Sequence, residues 1–170
     1  RRQRQMCIRD RYYHINKKGV VTTASTAEKQ AAIRLKKCGG NLKKAFTWSS
    51  TKIKYFGGVK KPGKSKNAVE YYAAYGFKYG KGDCYVMAAT FAMMAKVKGL
   101  NVKFVMGSVP QRNGKDGEHA WCEIKSGKTT YVYDPNFAYT YRNNPNVNSG
   151  YKFKYGAKGT YKYNLSLIHI

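Results

Sequence analysis

The sequence predicts an α+β fold in which helices come first and an antiparallel sheet follows. Helix-like segments occupy most of residues 25–97, where capping residues precede the apolar runs and glycines follow several of them. From residue 101 onward, apolar and polar residues alternate between glycine-containing turns, which is typical of strands. Residues 13–163 together have the length of a single domain.

Three helices are predicted before residue 80. The first, STAEKQAAIRLKKCGG, is capped at Ser25 or Thr26 and ended by Gly39-Gly40, and the second, NLKKAFTWSSTKIKYF, begins at Asn41. Residues 57–66 (GGVKKPGKSK) have the composition of a loop. NAVEYYAAYGFKYG then predicts a short third helix that ends at a glycine.

A fourth helix and the strands complete the predicted order. CYVMAATFAMMAKVKGL has apolar residues at helical spacing and follows the capping pair Gly82-Asp83. The strands are NVKFVMGSV, EHAWCEIKSG and TTYVYDPN, with a loop at 110–117 and a turn at Gly127. YKFKYG and GTYKYN predict a final hairpin around residues 156–159.

The candidate functional residues are a cysteine, a histidine and an aspartate in that chain order. Cys84 begins the fourth helix, where unpaired backbone N–H groups and the helix dipole favour a thiolate nucleophile. Taken alone, a cysteine in an apolar helix is more often a small core residue. The two predicted strands that follow supply His119 and Asp134, which together with Cys84 have the chemistry of a Cys-His-Asp site.

Strand periodicity places these partners close together. His119 and Trp121 share one face of their strand, and Asp134 ends the next strand. In an antiparallel hairpin, His119 and Asp134 could fall on the same face and within hydrogen-bond reach. Trp121 and Tyr85 are candidates for the walls of a substrate groove, with a core or rim aromatic as the simpler alternative for both.

Three motifs make the chain resemble the transglutaminase-like superfamily of papain-type thiol enzymes, including its bacterial domains. They are Gly82-x-Cys84 at a helix start, His119-x-Trp121 in a strand, and Asp134-Pro135 closing the next strand. The resemblance implies a papain/transglutaminase-like fold with the cysteine helix packed on an antiparallel sheet. It also implies Cys84 as nucleophile, His119 as general base and acid, and Asp134 as the group that orients the imidazole.

The implied activity is acyl transfer on protein or peptide amides through a Cys84 thioester. Transamidation, deamidation and peptide hydrolysis remain open, because the acceptor depends on the groove. No side chain for the oxyanion can be placed from the sequence. The alternative is a catalytically weak module on the same scaffold that binds cell-wall or other anionic polymers.

The two ends of the chain have a different character from the rest. RQMCIRDR and LSLIHI resemble translated sequencing-adapter read-through, and five of the chain's eight arginines lie in residues 1–11. We therefore expect residues 1–12 and 164–170 to be artefactual tails, in which Cys7 and His169 have no function, and the true protein to continue beyond both ends. Residues 13–24 are predicted to be a linker or edge strand, and 25–163 the transglutaminase-like domain.

Charge is the second informative property. The formal net charge is +25, from 33 Lys and Arg against 8 Asp and Glu, and most of it is lysine dispersed along the chain. Such a surface attracts acidic partners, and it suits an anionic cell wall or simply keeps a protein soluble. No nucleic-acid-binding signature accompanies the charge, so nucleic acid is not the expected partner. A wall-associated or extracellular location is the expectation.

The sequence predicts no metal or cofactor. Cys38, Cys84 and Cys122 form no Cys-x-x-Cys pair, and the acidic residues are too few and dispersed for a calcium cage. Animal members of the resembled family need calcium, whereas this chain is expected to act without it. Cys38 and Cys122 are either free thiols or, in a secreted protein, a disulfide. No run of eighteen apolar residues indicates a transmembrane segment.

Overall fold

The structure, a computed structural model, describes residues 4–8, 11–15, 18 and 21–169, with side chains for residues 18 and 22–165. Its elements follow in the order β1 (Arg4–Ile8), β2 (Arg11–Ile15), β3 (Val21–Thr23), α1 (Thr26–Lys37), α2 (Leu42–Thr51), β4 (Lys54–Tyr55), α3 (Ala68–Tyr79), β5 (Lys81–Gly82), α4 (Cys84–Val97), β6 (Asn101–Pro110), β7 (Asp116–Ser126), β8 (Thr129–Tyr133), α5 (Pro135–Thr140) and β9 (Asn164–His169). This is the predicted α+β order, with helices before an antiparallel sheet.

The main sheet has four strands in the order β8-β7-β6-β9, and each neighbouring pair is antiparallel. The long β6–β7 pairing sets His119 opposite Gly107. Glycine is required at position 107, because an added Cβ would lie 2.4 Å from the Trp121 ring. A separate parallel pair, β4–β5, joins Tyr55 to Gly82 just before the cysteine helix.

Helix α4 is the centre of the core. Every residue from Val86 to Ala95 is buried, so this helix is covered on all sides, by α1, α2, α3 and α5 and by strands β6 and β7. Large side chains such as Phe91 are fully buried, and each one stabilises the fold by about 1.5–3 kcal/mol. The polar pair Ser49–Thr90 is satisfied internally, with hydroxyl oxygens 2.9 Å apart.

The predicted helix starts are confirmed by their caps. The side chains of Ser25, Asn41, Asn67 and Asp83 each accept a backbone N–H in the first turn of α1, α2, α3 and α4. The second helix ends at Thr51, earlier than the predicted segment, because residues 54–55 leave the helix to pair with β5. Helix α5 follows Asp134 directly and was not predicted.

The predicted final hairpin is wrong. Residues 151–163 hold no paired strands, and the backbone of Phe153 instead bridges Val132. Tyr161 and Tyr163 pack against His119 and Trp121 on the sheet face, and Tyr155 contacts Tyr163 without forming a strand pair. Alternating aromatic residues suit a strand, but here burial against the sheet face decides their place.

The terminal segments include regular backbone. Strands β1, β2 and β3 form a small antiparallel sheet, and β9 pairs with the edge of β6. Residues 1–3, 9, 10 and 170, which belong to the predicted tails, lie outside the described residues. The assignment of the tails stays a prediction. Within the described ranges, no helix has the length and apolar character needed to cross a membrane.

Candidate active site

Cys84 is the first residue of α4, and hydrogen bonds made by its neighbours Asp83 and Gly82 fix its position. The Asp83 carboxylate accepts the Tyr85 and Val86 N–H groups at 3.1 and 3.3 Å, which caps the helix. Upstream, the Phe56 N–H donates to the Gly82 carbonyl at 2.9 Å and holds the approach to the helix. Cys84 is half-buried, so the thiol lies at the boundary of core and solvent.

Gly82 makes this tight entry into α4 possible. A Cβ at that position would lie 2.3 Å from the Cβ of Val86, a distance that real side chains do not tolerate. The glycine two residues before the cysteine is therefore a packing requirement of the turn.

His119 lies on β7 and interacts with both of the other candidate residues. Its Nε2 is 2.7 Å from Oδ2 of Asp134, and Cys84 lies close enough to raise the pKa of the imidazole. Since Nε2 is occupied by Asp134, the other ring nitrogen, Nδ1, is the one available to Cys84. The imidazole is 4% exposed, so these contacts form largely out of water.

Asp134 is fully buried at the junction of β8 and α5. Its Oδ1 accepts the Phe137 N–H at 3.0 Å as the helix N-cap, and its Oδ2 accepts from His119. Its backbone N–H donates to the Gly150 carbonyl at 2.9 Å. The carboxylate is therefore held at several points, which leaves it one orientation toward the imidazole.

The electrostatics of the site favour a charged imidazole. Burial by itself lowers the pKa of His119, but the Asp134 charge and hydrogen bond, joined by Cys84, outweigh it and raise the pKa to about 10. The titratable groups that face the ring are Cys84, Asp134, Tyr161 and Tyr163. At neutral pH, His119 is therefore an imidazolium paired with a buried carboxylate.

This pair should make stability depend on pH in a defined direction. The folded-state pKa of His119 lies above the unfolded value of 6.5, so its contribution is full below pH 6.5 and lost as pH rises through about 10. We expect the free energy of unfolding of the wild type to fall across this window more steeply than that of His119→Gln, by on the order of a few kcal/mol. Urea unfolding at pH 6, 8 and 9.5 measures the difference, and parallel curves would contradict it.

Trp121 does not form an open wall of the site as expected. It is fully buried, and its ring stacks on His119 with centroids 5.9 Å apart. Its Nε1–H donates to the Tyr155 hydroxyl at 2.7 Å, and Tyr155 donates in turn to Glu123 at 2.7 Å. Because no face of the indole is open to solvent, Trp121 supports the imidazole from behind.

Tyr85 lies at the rim of the site. It is half-buried, stacks on Tyr72 with centroids 5.3 Å apart, and its hydroxyl donates to Glu118 at 3.3 Å. Glu118 is also 3.6 Å from the Lys61 ammonium. This position is compatible with contact to substrate, and that role of Tyr85 stays a prediction.

Two tyrosines of the site were missed by the sequence analysis. Tyr163 donates to Oδ2 of Asp134 at 2.8 Å, and Tyr161 sets its ring edge against His119 with centroids 5.5 Å apart. The sequence carried a signal for them, because residues two apart in TYKYN point to one side of an extended chain. That signal was assigned to a hairpin.

The three described cysteines should differ sharply in reactivity. Cys122 is fully buried, which raises its pKa well above the ordinary value, and its thiol donates to the Ala88 carbonyl at 3.1 Å. Cys38 is a free thiol at the C-terminus of α1, away from any helix start. We expect limiting iodoacetamide at neutral pH to alkylate Cys84 first, because it lies at a helix start beside His119. Peptide mass mapping measures the order, and earlier labelling of Cys38 or Cys122 would contradict it.

Among the described residues, no three His, Cys, Asp or Glu side chains cluster in a way that could hold a metal ion. Cys38 and Cys122 are both free, so they are not paired with each other in this structure.

A comparison with models of protein families identifies the family of this chain. A family model of the transglutaminase-like superfamily matches residues 23–135, a range that includes Cys84, His119 and Asp134. The chain belongs to the transglutaminase-like superfamily. The resemblance found in the three motifs is thereby confirmed.

A solved structure supports the same fold. A proposed cysteine protease from Cytophaga hutchinsonii matches with a TM-score of 0.50 and 14% sequence identity. The match covers 65% of this chain and 37% of that chain, so this chain spans little more than a third of that protein. A comparison with curated protein sequences returned no match.

Proposed function

We propose that this protein is a thiol acyl-transfer enzyme that acts on protein or peptide amides through a thioester on Cys84. The observation that carries the proposal is the buried His119–Asp134 pair, 2.7 Å apart, whose imidazole lies close enough to Cys84 at the start of α4 for the thiol to raise its pKa. Nucleophile, base and orienting carboxylate are thus joined in one chain of contacts. The family and the solved neighbour agree with this chemistry.

The first half of the reaction follows from these contacts. The Cys84 thiolate, paired with the His119 imidazolium, attacks the amide carbon, a C–S bond forms, and the carbonyl electrons move onto oxygen. The backbone N–H of Cys84 at the helix start is the candidate donor to this oxyanion. The His119 imidazolium then gives its proton to the nitrogen that leaves, the C–N bond breaks, and a thioester remains.

The second half regenerates the thiol site. His119, now neutral, takes a proton from an incoming amine or water, which attacks the thioester carbon, and sulfur leaves as the thiolate. Attack by an amine gives transamidation, and attack by water gives deamidation or peptide hydrolysis. Asp134 keeps the imidazole oriented and stabilises its charged form in both halves.

A glutamine-containing peptide tests the proposal. The protein is incubated with the peptide, with and without a labelled primary amine, and each reaction is repeated with a calcium chelator. Incorporated amine indicates transamidation, and released ammonia or cleaved peptide without incorporation indicates hydrolysis. We expect the chelator to change neither rate. Absence of turnover together with an unreactive Cys84 would contradict the enzyme assignment.

The second candidate is a module that binds anionic wall polymers on the same scaffold, and the observation that favours it is the net charge of +25. For this candidate we also propose an extracellular or wall-associated location. Binding of Cys84→Ala to a wall polymer and to an oligonucleotide, each titrated with salt, tests it. Tight polymer binding, together with absence of turnover by the wild-type protein, would favour this candidate over the enzyme.

A further inference from the structure

The segment 150–163 builds part of the thiol site, although it lies beyond the family match at residues 23–135. The Gly150 carbonyl accepts the Asp134 N–H at 2.9 Å, and Phe153 pairs with Val132 on β8. At its end, Tyr163 reaches the Asp134 carboxylate. The residue that orients the imidazole is therefore itself held by this segment.

Asp134 Oδ2 accepts two hydrogen bonds at nearly equal distance. His119 Nε2 lies at 2.7 Å and the Tyr163 hydroxyl at 2.8 Å. Since one carboxylate oxygen serves both donors, its charge is divided between them. The position of that oxygen is fixed by two contacts whose directions differ.

The ring of Tyr163 is held in place before it makes this bond. It packs on Trp121 with centroids 4.7 Å apart and on Phe153 at 6.0 Å. Burial, followed by the Asp134 charge, raises the pKa of Tyr163 far above its ordinary value, so the hydroxyl keeps its proton. A tyrosine in this state can only be a hydrogen-bond donor to a buried carboxylate.

We propose that Tyr163 is a positioning residue of the thiol site. Its hydroxyl orients Asp134 Oδ2 toward His119 Nε2 and reduces the negative charge that acts on the imidazole. The inference rests on the proposed function for its effect on rate, whereas its effect on His119 does not require turnover. Tyr163 has no described contact with Cys84. Its ring centroid lies 6.4 Å from that of His119, but its hydroxyl bonds to Asp134, so the hydroxyl acts on the imidazole through Asp134.

Tyr163→Phe removes the hydroxyl and keeps the ring that packs on Trp121. We expect kcat to fall roughly tenfold while KM stays within about twofold, because a small misplacement of the imidazole slows chemistry more than binding. We also expect the His119 pKa to rise by about half a unit or more, since Oδ2 then serves the imidazole alone. Tyr151→Phe, which removes a hydroxyl from the same segment beside Phe46 and Tyr133, is the matched control.

The His119 titration is followed by NMR of labelled histidine, with the resonance assigned by its loss in His119→Gln. A double-mutant cycle gives the decisive comparison. In the Asp134→Asn background, adding Tyr163→Phe should not change the pKa of His119 further. Circular dichroism confirms that each variant is folded.

Three results would overturn the inference. The first is an unchanged or lowered His119 pKa in Tyr163→Phe, even if kcat falls, because the hydroxyl would then act on packing alone. The second is an equal change in Tyr151→Phe. The third is a further shift of the His119 titration in the Asp134→Asn background. If the wild type shows no turnover on any amide, the acyl-transfer function fails, while the NMR arm still decides the role of Tyr163.

Discussion

Replacing Cys84 with alanine is expected to lower the rate of amide turnover by about 10³-fold or more, because the covalent path through the thioester is lost. The fold should survive, since Cys84 is half-buried at the start of α4 and the helix cap is made by Asp83. The glutamine-peptide assay measures the rate, and thermal unfolding measures the fold.

The matched control is Cys38→Ala, which removes a half-buried thiol at the end of α1. It should keep turnover within about twofold of wild type, as expected of a position away from special structural features. A Cys84→Ala protein that keeps a tenth of its activity, after contamination is excluded by active-site labelling, would refute the nucleophile assignment.

Asp134→Asn is expected to lower kcat/KM by about 10²- to 10⁴-fold, because the same change in a Ser-His-Asp triad lowers kcat by about 10⁴. The hydrogen-bond pattern gives the reason. Oδ2 accepts from both His119 and Tyr163, so an amide nitrogen there would face two donors. Turning the amide over would place its nitrogen against the Phe137 N–H instead. The first orientation therefore forces His119 into the tautomer that accepts at Nε2, and the second leaves the Phe137 N–H without an acceptor.

The same substitution at an exposed site controls for the chemistry of the change. Asp116→Asn alters a carboxylate at the start of β7 that accepts from Asn164 at 2.7 Å. It should leave kcat/KM within about twofold and the thermal midpoint almost unchanged. Equal losses in Asp116→Asn and Asp134→Asn would mean that overall charge, rather than the geometry around His119, governs the rate.

Much of the fold was predictable because its signals are local. The caps Ser25, Asn41, Asn67 and Asp83 and the apolar run of α4 depend on residues a few positions apart. The placement of His119 beside Asp134 was also predictable, because strand alternation and one turn at Gly127 determine it.

What the sequence did not predict depends on contacts that are distant along the chain. Whether Trp121 faces solvent or core is decided by Tyr155 and Tyr163, more than thirty residues later, which cover it. The hairpin expected around residues 156–159 was wrong for the same reason. Its tyrosines have the alternation of a strand, but the free energy of covering the sheet face outweighs a local pairing preference.

The stacking of Trp121 on His119 also gives the protein an optical property. Only two tryptophans occur in the chain, and the other, Trp48, lies on α2 between Arg34 and Phe77. In Trp48→Phe the single remaining indole is buried and lies against the imidazole ring. An imidazolium quenches indole emission by accepting an electron from the excited state, and a neutral imidazole does so far less. The fluorescence of that variant would therefore brighten as His119 loses its proton, which makes the state of the site visible in the intact protein without substrate or label.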